Sequence, residues 1–233
     1  MIVPIIFTSL GCLSLVWFLF EKIKAYSIKA VLIKALTSSF FVAVGIYALC
    51  TTHLKFFSTF AVIGLILGMA GDIFLDLKYA KKEKDYEFTV AGFIAFGLGH
   101  IMYITGMYLE FFRDQSILYL IIPLAIGCLM GPGTILMGKV LKTEYGRLKI
   151  IAGAYAVILF SMVACSFSVY MMMDFKNTGL MMVFIGGVLF AVSDLILNMT
   201  YFGEGHEKPF DIISNTITYY AAQFVIAFAI MLM

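Results

Sequence analysis

Long apolar stretches alternate with short polar links along the whole chain. A helix needs about 20 predominantly apolar residues to cross the hydrocarbon core of a bilayer. Eight stretches reach that length, and the links leave no room for a soluble domain. The pattern therefore predicts an all-α polytopic membrane bundle that forms one integral membrane domain over residues 1–233. The predicted helices cover about residues 2–20, 29–50, 56–77, 89–109, 116–137, 150–172, 179–201 and 212–232.

The composition agrees with this assignment. Hydrophobic residues make up 63% of the 233 residues and charged residues 13%, and the mean hydropathy is +1.03. A soluble domain carries about 25% charged residues. No basic residue precedes the first apolar stretch and no clear cleavage site follows it, so we expect a retained helix and not a signal peptide. No basic stripe interleaved with aromatic residues indicates a nucleic-acid partner.

Lysine and arginine are distributed unequally between the two sides of the predicted bundle. Cytoplasmic loops of membrane proteins are enriched in these residues. The links between helices 1 and 2, 3 and 4, 5 and 6, and 7 and 8 hold twelve of them, whereas the opposite links hold three. The remaining one, Lys34, lies inside predicted helix 2. We therefore expect both termini to be non-cytoplasmic, in a bacterial cell membrane or in the endoplasmic reticulum.

One polar pattern occurs twice within the apolar stretches. The segment GMAGDIFLDL (68–77) contains Asp72, and the segment GGVLFAVSDLIL (186–197) contains Asp194, 122 positions later. At this offset, residues 63–76 align without a gap with residues 185–198, and each copy has a small residue directly before the aspartate. The offset of four predicted helices indicates a weak 4+4 parallel repeat. It places both carboxylates at a similar depth, in the cytoplasmic half of the bilayer.

A carboxylate inside a membrane helix is costly, at about 2.5–3.5 kcal/mol near the helix centre. Two of them in a repeated pattern are either satisfied hydrogen-bonding groups between helices or a functional pair. In a functional pair, one carboxyl stays protonated while the other is ionised, and the two act as acid and base. We expect the fold to bring Asp72 and Asp194 into one pocket. We expect Asp76, one turn beyond Asp72, to be solvated or paired with lysines of the 78–87 link.

Other polar residues inside the predicted helices are candidates for the same site. Lys34 can attract a phosphate head group, pair with an aspartate, or extend its ammonium group to the membrane interface. His100 can bond a carboxylate or a substrate, or pack as a hydrogen-bonded core residue, and Tyr103 follows it on the same helix face. The further candidates on helices 7 and 8 are Asn198, Asn215 and Gln223.

The sequence predicts no metal centre. The topology puts His53 outside, His100 within the membrane and His206 inside, so the three cannot converge on a zinc ion, which needs several ligands in one place. The four cysteines form no C-x-x-C pair, and we expect them to pack as small apolar residues. The run Gly131-Pro132-Gly133 is expected to break helix 5 locally.

Six sequence blocks occur in a characteristic order along nearly the whole chain. They are LIKALTS (32–38), GMAGDIFL (68–75), AGFIAFGLGHIMYI (91–104), YGRLKIIAGAYAVILFSM (145–162), GGVLFAVSDLIL (186–197) and YYAAQF (219–224). In this order they resemble the YhhN/TMEM86 family of eight-helix membrane proteins, whose characterised members are lysoplasmalogenases. Some members carry Asn at the position of Asp194, and the aspartate found here favours the active form.

The resemblance implies hydrolysis of the vinyl ether bond of an alkenyl lysophospholipid, which gives a fatty aldehyde and glycerophosphocholine or glycerophosphoethanolamine. It implies Asp72 and Asp194 as the catalytic pair. The residues expected to bind substrate are Lys34, His100, Tyr103, Asn198, Asn215 and Gln223. This reaction needs an acid, an anion near the developing cation and a positioned water, so we expect no metal and no cofactor. The expected partners are the lysophospholipid substrate and membrane lipids.

Three other functions remain compatible with parts of the pattern. A transporter or proton-coupled carrier also uses buried carboxylates, and parallel repeats occur in transporters. A lipid-binding relative without activity is a second alternative. An intramembrane aspartyl protease is disfavoured because Met69 stands where the G-x-G-D motif requires glycine, and no Pro-Ala-Leu sequence occurs.

Overall fold

A computed structural model describes residues 2–24, 27–203 and 208–233. These residues form eight α-helices, each long and apolar enough to span a membrane. The predicted all-α bundle of eight membrane helices is therefore confirmed. The helices are α1 (Ile2–Lys24), α2 (Ile28–Thr51), α3 (Lys55–Ala80), α4 (Asp85–Met107), α5 (Leu118–Val140), α6 (Lys149–Met172), α7 (Thr178–Phe202) and α8 (Pro209–Ala229). Within the described part of the chain, the only extended pairing is a β-bridge between Thr143 and Gly203.

The helices extend beyond the apolar stretches at their polar ends. α4 begins at Asp85, and both Asp85 and Glu87 lie in its first turn. Negative side chains there are favourable because the helix dipole is positive at this end. At its other end, α4 continues into a π-helical turn, Tyr108–Phe112. The helix therefore starts earlier and ends later than hydrophobicity alone indicates.

The predicted break in helix 5 is wrong. α5 stays helical through both Pro123 and Pro132. Proline removes one backbone donor, and neighbouring hydroxyl groups can satisfy carbonyls near it in a membrane helix. The hydroxyl of Thr134 donates to the carbonyl of Gly131 at 2.7 Å, within the same turn as Pro132.

Consecutive helices pack as four hairpins, and the neighbours of the helices repeat after four. α2 contacts α1, α3 and α8, and its counterpart α6 contacts α5, α7 and α4. α4 packs on α6 as α8 packs on α2. This arrangement agrees with the 4+4 repeat inferred from the two aspartate segments. It also means that α3 and α7 occupy equivalent positions in different halves of the bundle.

Glycines allow α3 and α4 to approach closely. A Cβ atom on Gly64 would meet the ring of Tyr103 at 2.7 Å and the carbonyl oxygen of Gly99 at 3.0 Å. Small residues at helix interfaces are a common means of close packing in membranes, where burial of apolar surface gives little drive for association. The close approach brings the polar residues of α3 and α4 into the interior of the bundle.

Candidate active site

Asp72, on α3, is almost completely buried, with 1% of its surface exposed. Its Oδ1 lies 3.3 Å from the Nζ of Lys34. Its Oδ2 accepts hydrogen bonds from the hydroxyls of Ser38 at 2.6 Å and Tyr219 at 2.8 Å. Both carboxylate oxygens are therefore occupied by groups from α2 and α8.

Asp76 belongs to the same group of charges. It is also buried, and its Oδ1 lies 3.0 Å from the Nζ of Lys22 and 3.3 Å from the Nζ of Lys34. The expectation of a solvated Asp76, or one paired with lysines of the 78–87 link, is wrong. One turn after Asp72, its side chain faces the same way, toward the lysines of α1 and α2. We call Lys22, Lys34, Asp72 and Asp76 the four-charge cluster.

The four-charge cluster decides between the alternatives for Lys34. Its side chain is only 9% exposed and its ammonium group pairs with two aspartates, so it does not extend to the membrane interface. The cluster contains two ammonium groups and two carboxylates. Charges inside a protein are tolerated only when they are paired in this way.

Asp194, on α7, has different surroundings. It is half-buried and accepts a hydrogen bond from the hydroxyl of Tyr155 on α6. The same hydroxyl oxygen lies 3.3 Å from the Nε2 of His100 on α4. Since Tyr155 donates its one proton to Asp194, its oxygen must accept from His100, which places the imidazole proton on Nε2. The Nδ1 of His100 is buried without a hydrogen-bond partner among the described residues, as fits an unprotonated nitrogen.

A partly open cavity lies beside Asp194, and its empty space of about 680 Å³ includes open solvent. The described residues that line the cavity are mainly apolar and aromatic, and Asp194 is the one charged residue among them. The lining residues are Leu75, Phe93, Phe96, Thr134, Ile135, Tyr145, Ala152, Tyr155, Ala156, Leu159, Phe160, Ala191, Asp194, Leu195, Leu197, Asn198, Tyr201 and Phe202.

Asn198 lines the cavity one turn beyond Asp194. Its side-chain amide donates to the hydroxyl of Tyr145 at 2.8 Å, and the ring of Tyr145 packs on Phe202 with 4.8 Å between centroids. These groups lie toward the end of the bundle that carries the α3–α4, α5–α6 and α7–α8 links. We call this end, to which the α1–α2 link also belongs, the basic end. The cavity is thus apolar along most of its length and polar toward the basic end.

The other predicted site residues lie outside this cavity. Asn215, on α8, donates to the backbone carbonyl of Ser193 at 2.7 Å and to its hydroxyl at 3.0 Å, and so ties α8 to α7 beside Asp194. Gln223 donates to the hydroxyl of Tyr219 at 2.9 Å and lies 3.5 Å from the hydroxyl of Tyr103. Gln223, Tyr103 and His100 line a second, much smaller gap between the helices.

The expectation that Asp72 and Asp194 share one pocket is wrong. Asp72 does not line the cavity, and among the described residues no hydrogen bond joins the two carboxyl groups. Their equivalent positions in the repeat place them in equivalent but separate sites, one in each half of the bundle. Asp72 and Asp194 therefore do not form the pair of adjacent carboxyls that an aspartyl protease needs.

Three aromatic rings connect the two aspartate sites. We call Phe96, Phe190 and Tyr219 the aromatic layer. Tyr219, which bonds Asp72, packs edge-on against Phe96 at 5.8 Å and Phe190 at 5.4 Å between centroids. Phe96 lines the cavity, and Phe190 packs against His100 at 4.6 Å between centroids. A continuous series of contacts therefore runs from Asp72 through the aromatic layer to the side of the bundle that holds Asp194.

Tyr155, Tyr219 and Lys22 contact the aspartates, although the sequence did not predict them as site residues. Tyr155 lies in one of the six family blocks, but a single tyrosine in an apolar helix is most often a packing residue. Lys22 lies near the end of α1, where lysine is common at a membrane boundary. Only the contacts with aspartates from distant helices distinguish these residues.

The two described histidines, His53 and His100, lie apart in the structure. His53 lies in the link between α2 and α3, whereas His100 is buried within α4, and His206 is outside the described residues. Within residues 2–24, 27–203 and 208–233, no group of three or more His, Cys, Asp or Glu side chains is placed to hold a metal ion.

The eight membrane-length helices define a multi-pass integral membrane protein, with a half-buried carboxylate at a mainly apolar cavity. The model of the YhhN family matches residues 25–230, which is most of the chain. The chain belongs to the YhhN family. Neither the curated proteins nor the solved structures gave a match.

Proposed function

We propose that the protein is a lysoplasmalogenase-like hydrolase that cleaves the vinyl ether bond of an alkenyl lysophospholipid. The observation that carries this proposal is Asp194, the one charged group among the described residues that line an apolar cavity. Membership of the YhhN family agrees with it. A long alkenyl chain suits the apolar walls, and the glycerophosphate end suits the polar groups near Asn198 and Tyr145.

Asp194 alone can supply both the acid and the base of the reaction. Its protonated carboxyl gives a proton to the vinyl carbon that is not bonded to the ether oxygen, and the electron pair of the double bond forms the new C–H bond. The ether oxygen then shares a lone pair to form an oxocarbenium ion, which the Asp194 carboxylate stabilises. Water adds to the oxocarbenium carbon and returns a proton to Asp194. The hemiacetal collapses to an aldehyde and an alcohol, and the enzyme is regenerated.

Tyr155 and His100 orient Asp194 in this scheme. The Tyr155 hydroxyl holds one carboxyl oxygen, which leaves the other for the substrate. His100 in turn fixes the direction of the Tyr155 hydroxyl. Together, the two residues restrict rotation of the Asp194 carboxyl group, as catalysis by a positioned acid requires.

The experiment compares the purified parent protein with Asp194→Asn and with Asp174→Asn as a matched control. Asp174 lies in an exposed link, with 80% of its side chain accessible. We expect aldehyde release from an alkenyl lysolipid by the parent and the control, and release at background for Asp194→Asn. A saturated alkyl analogue should give no product, because it has no carbon that can accept the proton. Full activity of Asp194→Asn would overturn the proposal.

A label tests the chemical step directly. In D₂O, protonation at carbon places one deuterium on the carbon next to the aldehyde, and immediate reduction to the alcohol preserves it for mass spectrometry. Product without this deuterium would exclude protonation at carbon.

A proton-coupled carrier is the second candidate, and the four-charge cluster favours it because buried ionisable residues mark ion pathways. Substrate flux into proteoliposomes without aldehyde formation would support the carrier. Aldehyde release without flux supports the hydrolase.

A further inference from the structure

The two aspartates of the repeat differ in what surrounds them, and this difference points to different roles. We infer that Asp72 is a positioning residue, which holds Tyr219 and the aromatic layer against the cavity and does not touch the substrate. The inference rests on the proposed function, in which Asp194 is the reacting carboxyl.

Asp72 has no access to the cavity. Asp72 is 1% exposed and is absent from the lining of the cavity. One of its oxygens pairs with Lys34, and the other accepts from Ser38 and Tyr219. A carboxyl that exchanges protons with a substrate needs an oxygen open to that substrate. Asp72 has none, whereas Asp194 lies on the cavity surface.

Charge balance within the four-charge cluster ties Asp72 to Lys34. Lys34 pairs with both Asp72 and Asp76, and Lys22 pairs with Asp76. Removal of one partner from a buried ion pair leaves an uncompensated charge, which is strongly destabilising. Asp72 is therefore committed to Lys34 as a counter-ion, and this commitment competes with a role as a proton donor.

A chain of contacts leads from Asp72 to the surroundings of Asp194. Its oxygen orients the Tyr219 hydroxyl, and the Tyr219 ring packs against Phe96 and Phe190. Phe96 forms part of the cavity wall, and Phe190 supports His100, which bonds Tyr155. A shift of Tyr219 thus reaches the geometry around Asp194 by direct contact at every step.

The two halves of the repeat have become different. In the half that contains Asp72, Lys34 and Tyr219 contact its carboxylate. Lys22 pairs with the neighbouring Asp76, and Tyr220 contacts Ser38, which bonds Asp72. In the half that contains Asp194, the carboxyl group lies beside the cavity. The first half serves as a rigid support, and the second half binds and converts the substrate.

The test measures kcat, KM and the pH–rate profile of Asp72→Asn beside Asp194→Asn. A misplaced catalytic group far from the mutation costs up to about 10²-fold in rate. We expect Asp72→Asn to lose up to about 10²-fold in kcat with little change in KM. Its pH–rate profile should keep both the acidic and the basic limb, each with its midpoint at the same pH as in the parent. Asp194→Asn should fall to background. Loss of one limb in Asp72→Asn would overturn the inference, because it would show that Asp72 itself titrates during catalysis.

A matched pair of tyrosines isolates the positioning contact. Tyr219 and Tyr220 are adjacent and buried, but only Tyr219 bonds Asp72 directly, whereas Tyr220 contacts Ser38. We expect Tyr219→Phe to lower kcat as Asp72→Asn does, and the double variant to lose no more than either single variant. Tyr220→Phe should lose less. Full activity of Tyr219→Phe would overturn the inference.

A charge-balanced variant covers the case in which Asp72→Asn does not fold. Lys34→Met with Asp72→Asn removes one charge of each sign, and we expect it to fold and to release aldehyde well above background. If the parent is active and this folded double variant shows only background activity, the inference is overturned but the proposed function is not. A parent that releases no aldehyde, or an active Asp194→Asn, would overturn the proposed function and the inference with it.

Discussion

The Tyr155 hydroxyl donates a hydrogen bond to Asp194 from the wall of the cavity, and the two residues come from different helices, α6 and α7. The oxygen of Tyr155 accepts in turn from His100 on α4. Three helices therefore meet at one carboxyl group. This arrangement makes the orientation of Asp194 depend on side chains that no local sequence pattern connects.

The first prediction concerns the bond from Tyr155 to Asp194. A hydrogen bond to a charged group contributes about 1.5–3 kcal/mol. We expect Tyr155→Phe to lower kcat by roughly 10- to 100-fold, since each 1.4 kcal/mol corresponds to about tenfold. The measurement is aldehyde release at saturating lysolipid. Unchanged kcat would contradict the assigned role of Tyr155, and Tyr170→Phe on the same helix, remote from the cavity lining, serves as the control.

The second prediction concerns the tautomer of His100. Its Nε2–H donates a hydrogen bond to the hydroxyl oxygen of Tyr155. A replacement residue that carries a hydrogen-bond donor at the end of its side chain should therefore preserve more activity than an apolar residue. We expect His100→Gln to retain more activity than His100→Leu, which leaves a buried hydroxyl oxygen without a donor at a cost of about 1–3 kcal/mol. Steady-state kinetics of both variants decide the order. Equal activity would show that His100 only fills space.

The third prediction concerns the stability provided by the four-charge cluster. Removal of one partner of a buried ion pair costs about 3–5 kcal/mol. We expect Asp76→Asn to lower the unfolding temperature in detergent, and addition of Lys22→Met to restore part of the loss. The ion pair between Lys29 and Glu21 is the control, because Lys29 is 59% exposed. Glu21→Gln should change stability by no more than about 1 kcal/mol.

The fourth prediction concerns the close approach of α3 and α4. A methyl group on Gly64 would press against the Tyr103 ring at 2.7 Å and the backbone of Gly99 at 3.0 Å. Overpacking of this kind costs about 1–3 kcal/mol. We expect Gly64→Ala to unfold at lower temperature than the parent. Gly133→Ala is the matched control, because a methyl group there would meet nothing within 4 Å.

The fifth prediction concerns the shape of the cavity. Ala156, on α6, forms part of its lining. A phenylalanine at this position would occupy space that we assign to the alkenyl chain. We expect Ala156→Phe to raise KM for long-chain lysolipids more than for short-chain ones. An equal effect on both chain lengths would indicate that the chain lies elsewhere.

The sequence determined the eight helices, because each crossing of a bilayer needs an apolar stretch of about 20 residues and the polar links mark its limits. It also determined the family and the equivalence of Asp72 and Asp194, since a gapless repeat is a property of the chain alone. Asn198 could be placed beside Asp194 because one helical turn separates them.

Only the tertiary structure decided which aspartate faces a cavity. In a soluble helix the polar side marks the surface, but a membrane helix is apolar on all sides and its sequence does not show which face is buried. The partners of each aspartate come from other helices: Lys34 and Tyr219 surround Asp72, whereas Tyr155 bonds Asp194. Lysines pair with the aspartates in one half of the repeat, whereas the cavity lies in the other half. The sequence does not show these pairs, because a buried charge needs a counter-charge and the packed bundle brings that partner from another helix.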